Sequence, residues 1–294
     1  MFRKRIIPLA GATALAYYGL YVPGSGVYRH FIREPHDLIQ RYGQDSWAIV
    51  TGGSDGIGKA FAYELANKGF NLLLISRTES KLQDITKDIE DKYKVKAKYL
   101  AKNFDDSHEE SFYKDIIEET QDLDVSLLVN NVGIGFRVAE DGNQIKNDLN
   151  ALKVNCCSQT ALTAHFAPVM NKRKMKSGIV NLSSFQGGKP CGLNPVYSST
   201  KGYNDFHSRA SSWDYEGKID FMSLRPSYVS TPLVGNRKVS GFTISAQDCA
   251  RGSLDKLGHD AWTNGHWKHA LFYHMCYLIP DTLFQRKSLS WRSK

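Results

Sequence analysis

The chain has 294 residues, of which 41% are hydrophobic and 23% charged, and its formal net charge is +8. That apolar fraction excludes a disordered chain, and the length suits one large α/β domain or two small ones. A basic balance admits an anionic ligand, a membrane surface or nucleic acid. No nucleic-acid motif occurs, and the longest basic cluster, Lys172-Arg173-Lys174 with Lys176, reads as a short surface turn.

Residues 6–27 carry no charge, and no acid precedes Glu34. The stretch 6–22 is 17 residues long, the lower limit for a membrane span. Pro8 suits a first helical turn, while Pro23, Gly24 and Gly26 are predicted to end the helix. Tyr17, Tyr18 and Tyr21 suit a membrane interface. Three readings stay open: a membrane anchor, a targeting segment (a signal peptide or an Arg-rich mitochondrial presequence), or a helix packed on the protein's own body. Cations flank both ends, so charge asymmetry sets no orientation.

Six apolar runs follow, at residues 47–50, 70–77, 95–104, 125–133, 177–184 and 219–226. Helical patterns separate them: one after the first run, then residues 80–94, 109–120, 146–170 and 197–215. The runs are continuously apolar rather than alternating, as expected of parallel strands covered by helices on both faces. The expected fold is α/β: a Rossmann-type doubly wound parallel sheet in a single domain over residues 46–258. An N-terminal hydrophobic segment (1–34) precedes it, and a C-terminal extension (259–294) follows. Within the extension, the aromatic run 269–284 is too short for a span and contains Pro280. Core packing is its first reading and membrane or partner contact its second.

The first run leads into Thr51-Gly52-Gly53-Ser54-Asp55-Gly56-Ile57-Gly58 and then a helix. Glycines there permit a sharp turn and close approach of backbone to a pyrophosphate, and the helix start offers free N–H groups. Strand, turn and helix in that order are the context a dinucleotide site requires, so a nucleotide cofactor is expected. The second run ends in Ser76-Arg77, with no acid to grip ribose hydroxyls. An arginine there can pair with a 2′-phosphate, so NADP(H) is the expected cofactor. Later in the chain, Tyr197 and Lys201 stand four apart with Ser198, Ser199 and Thr200 between them, which puts phenol and ammonium on one helical face.

Five cysteines, an odd number with Cys156 and Cys157 adjacent, fit reduced thiols in an intracellular compartment. His266, His269 and His274 lack a zinc-binding pattern, and no metal is expected. Asn181-Leu182-Ser183 matches a glycosylation acceptor but lies in a strand-like run and is discounted.

These motifs, in order, resemble the short-chain dehydrogenases/reductases over residues 47–269. They are the Thr51–Gly58 turn, Asn130-Asn131-Val132-Gly133, Asn155, Ser184, and Tyr197 with Lys201. Within that family the chain is most similar to the 17-beta-hydroxysteroid dehydrogenases and very-long-chain 3-oxoacyl-CoA reductases. The similarity rests on DGIGKAFAYELANKGFNLLLISRTESKL, LLVNNVG, RPSYVSTPL and SLDKLGHDAWTNGHWKHAL.

The resemblance implies an NADPH-dependent reductase of a ketone in a hydrophobic, lipid-like substrate, a 3-oxoacyl-CoA or a ketosteroid. Tyr197 is then the proton donor, its pKa lowered by Lys201, which also grips the nicotinamide ribose. Ser184 polarises the carbonyl, and Asn155 holds a water linking Lys201 to solvent. It further implies cofactor contacts from the glycine turn, Arg77, Asn103, Asn131, Gly133, Pro226, Val229 and Thr231. Asn103 departs from the family's usual aspartate near the adenine, and residues 233–243 form a short version of the substrate-covering region. A membrane-embedded N-terminus in the endoplasmic reticulum is implied too, with a mitochondrial membrane as the alternative. Self-association or a larger membrane assembly is compatible with the sequence. The rival function is an accessory structural subunit of a membrane complex.

Overall fold

A computed structural model describes residues 17–135, 143–192 and 194–290. Two compact units divide at Pro35. In the first, the described backbone is helical from Tyr17 to Ile32, with π-helical turns at Tyr17–Tyr21 and Tyr28–Ile32 around an α-helical Val22–Val27. The predicted stop at Pro23, Gly24 and Gly26 is therefore overturned. Pro23 falls in the first turn of the α-helical segment, behind a wider π-turn, where its missing N–H and its ring are tolerated. Leu20, Tyr21, Phe31 and Ile32 are exposed. Residues 6–16 of the expected anchor lie outside the described residues, among which no helix is long and apolar enough to cross a membrane.

The second unit holds a sheet of seven strands in the order β3-β2-β1-β4-β5-β6-β7. They are β1 (Trp47–Thr51), β2 (Asn71–Ser76), β3 (Ala97–Ala101), β4 (Val125–Asn130), β5 (Ser177–Leu182), β6 (Ile219–Leu224) and β7 (Trp262–Thr263). Every pairing is parallel.

The strands are continuously apolar because alternate side chains feed two separate cores. Ala48, Val50, Leu72, Leu74, Leu127 and Val129 join one core with helices Gly56–Asn67, Glu79–Tyr93 and Ala246–Leu254. Ile49, Leu73, Ile75, Leu128 and Ile179 join the other, against Ile116, Leu162, Phe166 and Met170. Helix Glu79–Tyr93 shows the logic on a single element. Leu82, Ile85, Thr86 and Ile89 fall at helical spacing and are buried, and the helix stops where Lys94 turns left-handed at φ 60°. Each large aliphatic side chain so buried contributes roughly 1.5–3 kcal/mol of transfer free energy.

Two features depart from the expected pattern. β7 is a seventh strand from residues beyond 258, too short to show a period. The expected helix 146–170 is also interrupted. It forms as Gln144–Leu152, a π-turn Lys153–Cys157, and Ser158–Asn171. The aromatic run 269–284 divides between helices Trp267–Tyr277 and Asp281–Ser290. Tyr273, Cys276 and Phe284 pack with Phe185 and Cys191 in a third core, while Leu271, Met275 and Leu278 are exposed.

Candidate active site

β1 and β4 are neighbours, and the chain leaves them toward opposite edges of the sheet. A crevice opens at such a switch point, past the C-terminal strand ends. Here it is a cleft of about 750 Å³, lined among others by Gly52, Ser54, Asp55, Gly56, Ile57, Arg77, Asn103, Asn131, Gly133, Tyr197 and Thr231.

The turn after β1 is built for close backbone approach. Gly52 and Gly56 have φ of 66° and 54°, the left-handed region that favours glycine. A Cβ on Gly58 would stand 2.2 Å from the Gly52 carbonyl oxygen. Gly53 packs behind the turn, against Leu74 and the Val50 carbonyl. Asp55 caps helix Gly56–Asn67, accepting from the Gly56 N–H at 2.8 Å. Thr51 was expected to touch cofactor, but it is fully buried behind the cleft. Its hydroxyl accepts from the Asn131 and Val132 N–H groups, each at 3.0 Å, while the Asn131 amide donates to the Thr51 carbonyl at 2.9 Å. Together these bonds bolt the end of β1 to the end of β4.

At the far end of the cleft, Arg77 is joined by Lys81 and Lys102, two cations the sequence reading did not single out. Their signal is a basic residue one helical turn after Arg77 and another just past β3. The Lys81 ammonium donates to Asp55 at 2.8 Å and, with the Gly56 N–H, holds that carboxyl below its ordinary range. Ser54 and Ser76 hydroxyls meet at 2.7 Å. Asn103 lines the cleft, with its amide donating to the Asp105 carboxylate at 3.2 Å.

At the near end, helix Pro195–Asp214 starts on a proline and places Tyr197 in its first turn and Lys201 in its second. Tyr197 is half-buried on the cleft wall. Ser184 ends the loop after β5, caps the short helix Phe185–Gly188 by accepting from the Gln186 N–H, and hydrogen-bonds the Tyr197 phenol. Lys201 is 3% exposed, and its ammonium donates to the Leu182 carbonyl at 2.8 Å, standing 5.9 Å from the Tyr197 ring centre.

The expected lowering of the Tyr197 pKa by Lys201 is not what this arrangement produces. Burial raises the phenol, and the Ser184 bond offsets part of the rise. Burial also lowers Lys201 from 10.5 to about 8. Burial works against the charged form of both groups, fully at Lys201 and in part at the half-buried Tyr197, and the ammonium is directed to a carbonyl rather than to the phenol.

Asn155 lies in the π-turn, 1% exposed. Its amide accepts from the Ile134 N–H at 2.8 Å and donates to the Ile134 carbonyl at 3.1 Å and the Thr200 hydroxyl at 3.0 Å. The side chain is thus a crosslink between the loop after β4 and the catalytic helix. A Cβ on Gly133 would stand 3.2 Å from both Asn155 Oδ1 and Lys201 Nζ, so a side chain there would press on both groups.

Thr231 lines the cleft beside Gly56, and its hydroxyl donates to the Val229 carbonyl at 3.2 Å. Pro226 and Val229 are buried behind it, and the Pro226 carbonyl accepts from the Phe185 N–H at 2.8 Å. His269 was read only as part of an unconvincing histidine group. Its Nδ1 accepts from the Ser227 N–H at 3.2 Å, and its Nε2 contacts the Tyr228 and Phe242 carbonyls at 3.1 and 3.0 Å. Burial lowers it to about 4, so it is a neutral clamp on the loop that carries Thr231.

Positive-φ glycines, a helix start and cradles that any Cβ would fill make the cleft fit a dinucleotide. A phenol, a hydroxyl and a buried ammonium at its near end can deliver a proton to a carbonyl oxygen.

Residues 46–239 match the family model described as short chain dehydrogenase. The human protein named "Inactive hydroxysteroid dehydrogenase-like protein 1" is 36% identical over 255 residues, 84% of this chain and 76% of that one. The Caenorhabditis elegans protein named "Very-long-chain 3-oxooacyl-coA reductase let-767" is 34% identical over 275 residues, 91% and 86% of the two chains. A structure from work on 7beta-hydroxysteroid dehydrogenase stereoselectivity superposes with a TM-score of 0.76 at 18% identity, covering 86% of this chain and 99% of that one. A Sphingobium yanoikuyae short-chain dehydrogenase in complex with NADPH gives 0.64 at 20% identity, with 72% and 84% covered. A Brucella melitensis 3-ketoacyl-(acyl-carrier-protein) reductase complexed with NADH gives 0.61 at 20%, with 74% and 93% covered.

The buried Lys201 generates a stability prediction. Its pKa is about 8 in the folded chain and 10.5 ordinarily, so the folded chain loses this proton before the unfolded one as pH rises. Between those values the unfolded chain binds more protons, and stability rises with pH by on the order of 3 kcal/mol in all. Lys201→Met is expected to lose that rise. Denaturant melts of both proteins at pH 7 and 9.5 check it; an unchanged pH slope refutes the depressed pKa.

Proposed function

The chain belongs to the short chain dehydrogenase family, and on that premise we propose that it is an NADPH-dependent reductase of a ketone in a lipid-like substrate, a 3-oxoacyl-CoA or a ketosteroid. The observation that carries the reading is that Tyr197 lines the cleft that the glycine turn opens, with Ser184 hydrogen-bonded to its phenol and the Lys201 ammonium 5.9 Å from its ring centre. When bound, the reduced nicotinamide supplies a hydride to the carbonyl carbon. Tyr197 gives its proton to the carbonyl oxygen, and Ser184 orients that oxygen by donating to it. Lys201 holds the nicotinamide ribose and places positive charge near the phenol. Asn155 positions Lys201 through Thr200 and the loop at Ile134.

Arg77 favours a 2′-phosphate, with Lys81 and Lys102 beside it, each paired with an aspartate (Asp55 and Asp115), and Ser76 stands where an acid would disfavour one. Val132, Ile134, Val196 and Leu233 give the cleft an apolar side suited to an acyl chain or a sterol. The rival reading, a structural subunit, draws on the word inactive in the human relative's name. That word describes the relative, whereas a structural subunit has no need of the constellation kept here.

Three outcomes are expected. Purified protein will oxidise NADPH with a long-chain 3-oxoacyl-CoA or a ketosteroid, and Tyr197→Phe will lower kcat by about 100-fold or more with NADPH affinity retained; undiminished turnover refutes the proton donor, and tight NADPH binding with no turnover of any ketone favours the structural reading. Arg77→Asp will weaken NADPH by about 10- to 100-fold while NADH changes far less; equal losses in a titration of both nucleotides refute a 2′-phosphate contact. The apolar N-terminal segment will hold the chain at a membrane, that of the endoplasmic reticulum by family resemblance and a mitochondrial one as the alternative. Imaging of a tagged full chain tests this, and a uniform soluble distribution refutes it.

A further inference from the structure

Lys189 is a lysine that the reaction does not use, yet its side chain is only 4% exposed. It follows the short helix Phe185–Gly188, which starts from Ser184. Its ammonium donates to the Ile279 carbonyl at 2.9 Å and the Asp281 carboxylate at 2.8 Å, with the Tyr277 and Phe284 rings 5.2 and 5.1 Å away. All four partners belong to the C-terminal helices Trp267–Tyr277 and Asp281–Ser290 or to the turn between them.

The short helix is thin enough to pass contact from one side to the other. On one side, a Cβ on Gly187 would stand 2.5 Å from the Lys201 carbonyl oxygen, so this backbone lies directly on the catalytic helix. On the other, a Cβ on Gly188 would stand 2.8 Å from the Tyr273 hydroxyl, so the backbone lies directly on the C-terminal helix. The Tyr277 hydroxyl donates to the Gly188 carbonyl. Gln285 accepts from the Gly192 N–H at 2.7 Å and donates to the Pro190 carbonyl. Ser198, next to Tyr197, donates to Gln186 at 3.0 Å and accepts from the Cys191 N–H at 3.3 Å. Residues 184–192 therefore sit between the proton donor and the C-terminal helix pair, bonded to both.

We propose that Lys189 and Tyr277 latch the C-terminal helix pair onto the Ser184 turn, so that this pair sets the relative position of Ser184 and Tyr197, with Lys189 as a positioning residue. An apolar side chain would fill the same space, but a buried cation also fixes direction, because its desolvation is offset only while the Ile279 carbonyl and Asp281 stay in place. Lys189 does not line the cleft. The kinetic part of the inference rests on the proposed reductase reading; the ordering of the turn does not.

The test uses the full chain with Lys189→Met and, separately, Tyr277→Phe, which removes one hydroxyl from a side chain that is 47% exposed. Hydrogen exchange needs no activity. Lys189→Met is expected to speed exchange at amides of residues 185–192 by about 10-fold, leaving β1 and β2 as protected as before. NADPH affinity, from nucleotide fluorescence, stays within about 3-fold, while kcat falls by about 10- to 100-fold and the pH profile of kcat shifts. Tyr277→Phe moves the same readouts in the same direction by less. Unchanged exchange at residues 185–192 overturns the latch. Faster exchange with wild-type kcat and pH profile overturns the positioning role. If the unmodified protein reduces no ketone, the reductase reading fails, and the exchange result alone upholds or overturns the latch. Should Lys189→Met fail to fold, Tyr277→Phe decides by the same criteria.

Discussion

The Lys201 ammonium is 3% exposed and donates to one carbonyl, that of Leu182, and much of the site is arranged around keeping that cation in place. An ammonium withdrawn from water is costly unless its neighbours are oxygen-rich and fixed. Asn155 Oδ1 lies beside it across Gly133, and the Asn155 amide is tied to Thr200, the residue immediately before Lys201. The Leu182 carbonyl also receives the Asn204 amide from the next turn of the same helix, at 3.4 Å. The π-turn at Lys153–Cys157 belongs to this arrangement. It carries Asn155 at the point where its amide can reach both the loop after β4 and the catalytic helix.

Rigid placement of the catalytic helix comes from deeper polar contacts. Asp205 is buried on that helix, accepting from Arg225 at 2.5 Å and from the Ser223 hydroxyl at 2.7 Å. Arg225 lies 4.3 Å from the Trp262 ring centre in β7 and reaches the Tyr273 hydroxyl at 3.3 Å. A buried ion pair of this kind is weak evidence for stability but strong for orientation: Arg225 left alone would be an uncompensated charge, while Asp205 also accepts from Arg209 at 3.0 Å on its own helix. Here it ties the helix bearing Tyr197 to β6, to β7 and to the C-terminal helix. On the other side of the crevice, Thr51 and Asn131 join the ends of β1 and β4. Side chains at strand ends therefore fix both walls of the cleft, and the glycine turn supplies the opening between them.

Most of the sheet was legible in the sequence because buried parallel strands announce themselves as short apolar runs between helical periods. β7 was not, since Trp262–Thr263 is too short for any period and is a strand only because β6 lies beside it. The glycine turn, Ser184, Tyr197 and Lys201 were legible through order and spacing. What those residues do electrostatically was not. The sign of the Tyr197 shift depends on how far water is excluded and on where the ammonium points, and neither is written in a four-residue spacing. Thr51 and Asn155 were found by motif, but their hydroxyl and amide face inward, and only the fold shows which backbone groups they hold. Lys189 carried no signal, because its partners are 90 and 92 positions away in the chain.

The two burial effects at the near end of the cleft act in opposite senses on charge and in the same sense on chemistry. An ordinary phenol is already protonated at neutral pH, and burial pushes Tyr197 further the same way. A Lys201 pKa of about 8 keeps most of the ammonium charged there. A ketone reduction begins from that pair of states, since the carbonyl oxygen must receive a proton as its carbon gains a hydride. Alcohol oxidation would need the phenolate, the form that burial disfavours, so it is expected to require higher pH. Above about pH 8, however, the ammonium itself is lost. At neutral pH the site therefore holds a protonated phenol beside an ammonium, the pair of states from which the proposed reduction begins, with Ser184 hydrogen-bonded to the phenol oxygen.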